Sequence, residues 1–217
     1  MRRAGVSPAP PVEHAPRAGL ALRLCGLLLL ALAAAPVAAA DLLSLAPDRP
    51  LLFIDGRGNA VRSTDFAGKW LLVYFGYTHC SELCPTGLTV LASALAEIGT
   101  ASRHVQPLFI TVDPERDRGP LLLQFTASFD PRLIGLTGST AQIKRAADAL
   151  GASFLKVAQQ GGDYVVDHSA TYTLVDPAHQ HAQVLRLAEP YALARKLVAE
   201  MTRAGIPLDD PNVAAYR

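Results

Sequence analysis

Cys80 and Cys84 stand in the stretch YFGYTHCSELCPTGL, residues 74–88, with three residues between them. Thiol redox sites commonly place two residues in that gap. A four-residue separation at the start of a helix still puts both sulfurs on one side. It also allows the Cα separation of roughly 4.4 to 6.8 Å that a disulfide needs, so the pair can exist as dithiol or disulfide. A helix N-terminus favours thiolate, the form that serves both as redox nucleophile and as soft-metal ligand. A disulfide closing so small a loop constrains little of the unfolded chain, which makes a purely stabilising role a weak reason for the pair. A structural zinc site requires four ligands, and only Cys80 and Cys84 lie beyond the N-terminal region. Cu(I), held by two thiolates and an imidazole, suits this donor set.

A third ligand must then come from histidine. His79 adjoins Cys80 and reads as a turn-stabilising or supporting residue, and His104 precedes a strand in a position suited to solvent. His179 and His181 form an H-x-H in the turn DPAHQHAQ, where exposure is the simpler expectation. His168, in YVVDHSATYTLVD, lies where a loop feeds a strand, and there a histidine can be either a hydrogen-bonded core residue or a ligand.

The elements that must position these residues follow from the hydrophobic pattern. KWLLVYFGY and VQPLFITVD are continuous apolar runs typical of strands buried on both faces. LLFIDGRGNAV breaks at residues 55–58 as a hairpin does. In CPTGLTVLASALAEIG, Leu88, Leu91, Leu95 and Ile98 mark one face of a helix ending near Gly99. GPLLLQFTASF reads as a helix, LIGLTG as a strand, STAQIKRAADALG as a helix capped by Ser139 or Thr140 and stopped at Gly151, ATYTLVD as a strand, and EPYALARKLVAEMTRAG as a closing helix. The alternation predicts an α/β domain over residues 51–205, with a central sheet covered on both faces. Residues 206–217 are expected to be a C-terminal tail.

Residues 24–40, LCGLLLLALAAAPVAAA, are 17 uncharged apolar residues preceded by Arg2, Arg3, Arg17 and Arg23. This is a membrane-targeting segment. It is either a cleaved signal peptide, ending in small residues, or an uncleaved anchor near the lower length limit for a span. In both cases the preceding arginines imply export of the rest of the chain. Cys25, at the start of the run, is misplaced for acylation and reads as incidental. Residues 41–50, DLLSLAPDRP, are expected to be a linker. Of the chain's 20 basic and 19 acidic residues, four Arg and one Glu fall in residues 1–40. The remaining 16 and 18 give a formal charge of −2, which excludes an electrostatic case for nucleic acid.

WLLVYFGYTHCSELCP, PLFITVDPERD, LIGLTGS and YVVDHSATYTLVDP, in this order and spacing, closely resemble the Sco/SenC family of copper-binding assembly factors for cytochrome c oxidase. The resemblance extends over about residues 51–205. It implies a thioredoxin-like fold with a central mixed sheet flanked by helices, tethered or released at the periplasmic face of a bacterial inner membrane. It implies one copper per chain, as Cu(I), Cu(II) or both, held by Cys80, Cys84 and His168, with Cys80 and Cys84 also able to form a disulfide. The implied partners are the oxidase subunit carrying the CuA site and an upstream copper donor protein. The implied role is delivery of copper or reduction of the ligand cysteines of that site. The family usually has proline after the first Cys, where this chain has Ser81, a departure that bears on loop rigidity more than on ligation. Asp113 and Asp167 read either as supporting acceptors near the metal or as turn formers, and Glu115, Arg116 and Asp117 as a solvated loop. A neutral His168 is required for binding, so affinity is expected to fall as pH drops through the imidazole range.

An exported thiol-disulfide oxidoreductase or peroxiredoxin-like enzyme is the alternative, and an inert disulfide domain a further one. Thioredoxin-like redox enzymes carry a cis-proline facing the cysteine pair. Here no proline occurs between Pro131 and Pro177, and DHSAT stands in its place.

Overall fold

The computed structural model describes residues 50–81 and 83–216, together with the backbone of a short strand, β1 (Leu42–Ser44). The apolar run 24–40 lies outside the described residues. Among those described, no helix is long and apolar enough to cross a membrane.

The hairpin that breaks at residues 55–58 is β2 (Leu52–Asp55) and β3 (Ala60–Arg62), paired antiparallel. The two continuous apolar runs are β4 (Trp70–Gly76) and β5 (Val105–Thr111). They are parallel neighbours along their whole length, and every residue of β4 is buried, as expected of a strand covered on both faces. Between them runs α1 (Leu83–Glu97), whose stripe of Leu88, Leu91 and Leu95 is buried throughout, as is Ile98 just past its end. After β5 come α2 (Gly119–Ala127), with Pro120 in its first turn, β6 (Ile134–Thr137), and α3 (Thr140–Leu150). Ser139 caps α3 by accepting from the Gln142 N–H at 3.3 Å, while Gln142 Oε1 accepts from the Ser139 N–H at 2.8 Å. Gly151 ends the helix at φ 70°, a left-handed turn open to glycine.

Beyond α3 the structure adds a hairpin absent from the hydrophobic pattern. β7 (Phe154–Ala158) and β8 (Tyr164–His168) form a separate two-stranded sheet around a turn with Gly161 and Gly162 at positive φ. Then β9 (Tyr172–Val175) and β10 (His181–Leu185) join the main sheet, and α4 (Pro190–Arg203) packs against α1. The main sheet runs β1-β10-β9-β4-β5-β6-β2-β3, a mixed sheet in which β4-β5 and β5-β6 are parallel. Part of the expected linker is therefore a strand, β1 against β10. The expected tail is docked: residues 211–216 form a 3-10 helix with Val213 fully buried, and Tyr216 donates its hydroxyl to Glu97 at 2.8 Å.

One close approach fixes how α1 sits on β4. A Cβ at Gly87 would lie 2.5 Å from the Tyr74 ring, and the Gly87 carbonyl accepts the Tyr172 hydroxyl at 2.8 Å. Because Tyr74 is buried, the helix must move to admit a methyl group. Gly87→Ala is expected to destabilise the fold by roughly 1 to 3 kcal/mol, read as a lowered Tm; an unchanged Tm would mean that this contact does not set the helix position.

Candidate metal centre

Strand register brings the candidate residues together. β4 and β9 are antiparallel with Tyr74 opposite Tyr172, so the chain leaving β4 and the chain entering β9 meet at one end of the sheet. Cys80 and Cys84 follow the end of β4, and His168 precedes β9 by four residues. The Sγ atoms of Cys80 and Cys84 and one ring nitrogen of His168 all lie within 4.8 Å of one another. Both cysteines are free thiols.

Cys84, in the first turn of α1, is fully buried, and Cys80 is half-buried. The Cys84 N–H donates to Cys80 Sγ at 3.4 Å, which directs the unpaired amide of the helix start at the outer sulfur. His168 Nε2 is 3.2 Å from Cys84 Sγ, and Nδ1 is 3.2 Å from the Ser169 carbonyl. A carbonyl only accepts, so Nδ1 carries the proton and Nε2 presents its lone pair, here toward the Cys84 S–H. A Cβ at Gly76 would stand 2.8 Å from Cys84 Sγ and 2.9 Å from the Phe109 ring, so only glycine leaves room for the inner sulfur.

Electrostatics favour neutral groups in the metal-free site. Burial, followed by the neighbouring Cys80, pushes the Cys84 thiol far up, against a smaller opposite pull from the Tyr77 backbone. The expected thiolate-favouring effect of the helix start is thus outweighed at Cys84 by desolvation. Burial lowers the His168 imidazole, with the Ser169 carbonyl and the Asp167 charge working the other way, so the ring is neutral over a wider range than an exposed histidine. The proton that competes with a metal near neutral pH is therefore the thiol's. Imidazole competition begins below the ordinary histidine range.

The other expectations divide. Asp113 is fully buried but faces away from the donors: Oδ1 accepts the Tyr164 hydroxyl at 2.7 Å and Oδ2 pairs with Arg116 Nε. Asp167 is exposed and makes no side-chain hydrogen bond among the described residues. The loop read as solvated is not so at Asp117, which is fully buried. Asp117 accepts the Thr78 N–H at 2.8 Å, the Thr78 hydroxyl at 2.5 Å and the Thr111 hydroxyl at 2.7 Å, tying the segment before Cys80 to β5. Its signal lay in the spacing TVDPERD, two acids four residues apart just after a buried strand. His79 Nδ1 lies 3.1 Å from the Thr78 hydroxyl, a local supporting contact. His104 is half-buried rather than free in solvent. His179 is buried at φ 55° with Nε2 3.3 Å from the Lys69 carbonyl, and only His181 of the H-x-H is exposed, paired with Asp176 at 3.0 Å.

Two donors on one ion with bonds of roughly 2.0 to 2.3 Å lie at most about 4.6 Å apart. The widest separation here needs to close by only a fraction of an ångström to hold an ion. Two sulfurs and one nitrogen form a soft, three-coordinate set.

The SCO1/SenC family profile matches residues 46–203. The chain belongs to the SCO1/SenC family. It is 43% identical over 131 residues to the mitochondrial protein SCO2 homolog of Danio rerio, covering 57% of this chain and 46% of that protein. It is 40% identical over 129 residues to the mitochondrial SCO1 homolog 1 of Arabidopsis thaliana, covering 59% of this chain and 39% of that one. The matched segment thus spans about half the length of these curated relatives or less. Among solved structures, copper-bound ScoI of Bradyrhizobium japonicum matches with TM-score 0.63 and 35% identity, over 69% of this chain and 96% of that one. Yeast Sco1 with copper bound matches with TM-score 0.64 and 31% identity, over 71% of this chain and 87% of that one.

Burial separates the two thiols chemically. Limited alkylation of the reduced, metal-free protein at mildly alkaline pH is expected to label Cys80 well before Cys84, with Cys84 labelling accelerating as pH rises further, as peptide mass spectrometry would record. Equal rates would contradict the desolvation of Cys84.

Proposed function

We propose that this protein is a copper chaperone of an exported compartment, holding one copper on Cys80, Cys84 and His168 and passing it to the CuA-bearing subunit of cytochrome c oxidase during assembly. The observation that carries the reading is the convergence of two thiols and a correctly oriented imidazole within 4.8 Å at one end of the sheet, in a member of this family. The copper is cargo. Cys80 and Cys84 bind it as thiolates after losing their protons, and His168 binds through Nε2 while Ser169 holds Nδ1–H. A three-ligand set leaves a face on the half-buried Cys80 side where an acceptor's ligand can approach, so transfer proceeds by ligand exchange without release of free ion. The N-terminal apolar run serves as signal or anchor, placing the domain at the periplasmic face of a bacterial inner membrane, where an upstream protein supplies copper. Cu(I) is the state best suited to two thiolates.

A second reading is supported by the Cys84 N–H directed at Cys80 Sγ, which places the more accessible sulfur beside the buried one as an attacking and resolving pair require. In that reading, Cys80 attacks a disulfide of the acceptor's copper-ligand cysteines and Cys84 resolves the mixed disulfide. The acceptor leaves as a dithiol and this chain as the Cys80–Cys84 disulfide.

The full chain, reduced and titrated with Cu(I) without oxygen, is expected to bind one copper. Cys80→Ala, Cys84→Ala and His168→Ala should each lower affinity by at least roughly 100-fold, beyond the usual loss from a merely supporting residue. Affinity retained by all three variants would refute the site. In cells lacking the protein, the oxidase should be short of CuA copper; a normal copper content would refute the delivery role.

A further inference from the structure

We propose that the loop of residues 113–117 is a clamp that sets the His168 leg of the copper site independently of its thiol leg, with Arg116 as the positioning residue; this rests on the copper reading above. The donors belong to two substructures. Cys80 and Cys84 sit on the loop and helix after β4, whereas His168 ends β8, in a two-stranded sheet outside the main one. The loop begins at the end of β5 and grips both sides. Asp117 holds Thr78, two residues before Cys80, through two hydrogen bonds. Asp113 and Arg116 hold the hairpin.

The grip on the hairpin is dense. Arg116 Nε pairs with the buried Asp113 carboxylate, and Nη1 donates to Asp163 Oδ1 at 3.2 Å and to the Tyr164 carbonyl at 3.3 Å. Its guanidinium lies 3.9 Å above the Tyr164 ring and 5.9 Å from the centre of the Tyr77 ring. The Tyr164 hydroxyl returns to Asp113, and Lys156 of β7 reaches Glu115 at 2.7 Å. Tyr77, whose hydroxyl lies at the Val166 backbone, stands edge-on to the His168 ring with centroids 5.9 Å apart. Nη2 of Arg116 is buried without a hydrogen-bond partner among the described residues, a cost the fold carries at this position. Among the described residues, the Arg116 side chain reaches the hairpin, Asp113 and the Tyr77 ring, and no cysteine. Its removal therefore frees the hairpin and moves His168, while Asp117 still holds the segment before Cys80.

A double-mutant cycle separates this role from general support of the fold. Cu(I) affinity of the full chain is measured by competition with a chelator of known affinity for the unsubstituted protein, Arg116→Ala, His168→Ala and the double variant. Arg116→Ala is expected to weaken binding roughly 10- to 100-fold when His168 is present, and to add no loss when His168 is alanine. Equal losses in both backgrounds, or no loss in either, would overturn the clamp. Should Arg116→Ala not fold, Tyr164→Phe, which removes only the hydroxyl held by Asp113, is run through the same cycle with the same expected sign. If His168→Ala leaves affinity unchanged, the copper reading itself fails and the clamp with it. If His168→Ala weakens binding and neither Arg116→Ala nor Tyr164→Phe does, the clamp alone fails.

Discussion

The 3.2 Å contact between the Cys84 thiol and His168 Nε2 joins two sheets, and much of the architecture can be understood as the means of making it. The cysteine side is held firmly because it grows from a strand buried at every position, and because glycine at positions 76 and 87 lets the α1 start press onto β4. The histidine side reaches the same place because β9 lies antiparallel beside β4. Its backbone comes from a hairpin that is not part of the main sheet. A metal bound across this junction crosslinks the two, and metal affinity is then coupled to how firmly the hairpin is held.

Protonation adds a second level of control. Desolvation disfavours the charged forms of both Cys84 and His168, so the two carry little mutual repulsion and the inner thiol keeps its proton. In the copper reading, entry displaces that proton and proceeds with proton release, and the more accessible Cys80 offers the first point of attachment. In the copper reading, this burial gradient favours attachment from Cys80 inward. The same gradient would direct an incoming disulfide to Cys80 in the reductase reading.

Much of this was legible in the residues, for reasons that can be named. β4 and β5 announced themselves because a strand covered on both faces must be apolar throughout, and α3 because Ser139 and Gly151 mark its two ends. The β7–β8 hairpin was missed because it is largely exposed: Leu155, Val157 and Val165 face solvent, so no core-facing alternation survives, and only the Gly161-Gly162 turn betrays it. Asp117 was misread because charge suggests solvent, whereas three hydrogen bonds satisfy it in the interior. Asp167, beside a candidate ligand in sequence, points to the opposite side of a strand from it, as the two-residue period requires. The cysteine pair was legible from its spacing, and His168 only together with the family resemblance, since the register between β4 and β9 cannot be read from a single chain.

The central claim is that both sulfurs and one imidazole hold the metal together. X-ray absorption at the copper edge of the anaerobically loaded full chain tests it most directly. The expected result is two sulfur neighbours and one nitrogen with the outer-shell scattering of an imidazole, the imidazole signal vanishing in His168→Ala. A shell of oxygen and nitrogen without sulfur, or an imidazole signal that persists in His168→Ala, would contradict it.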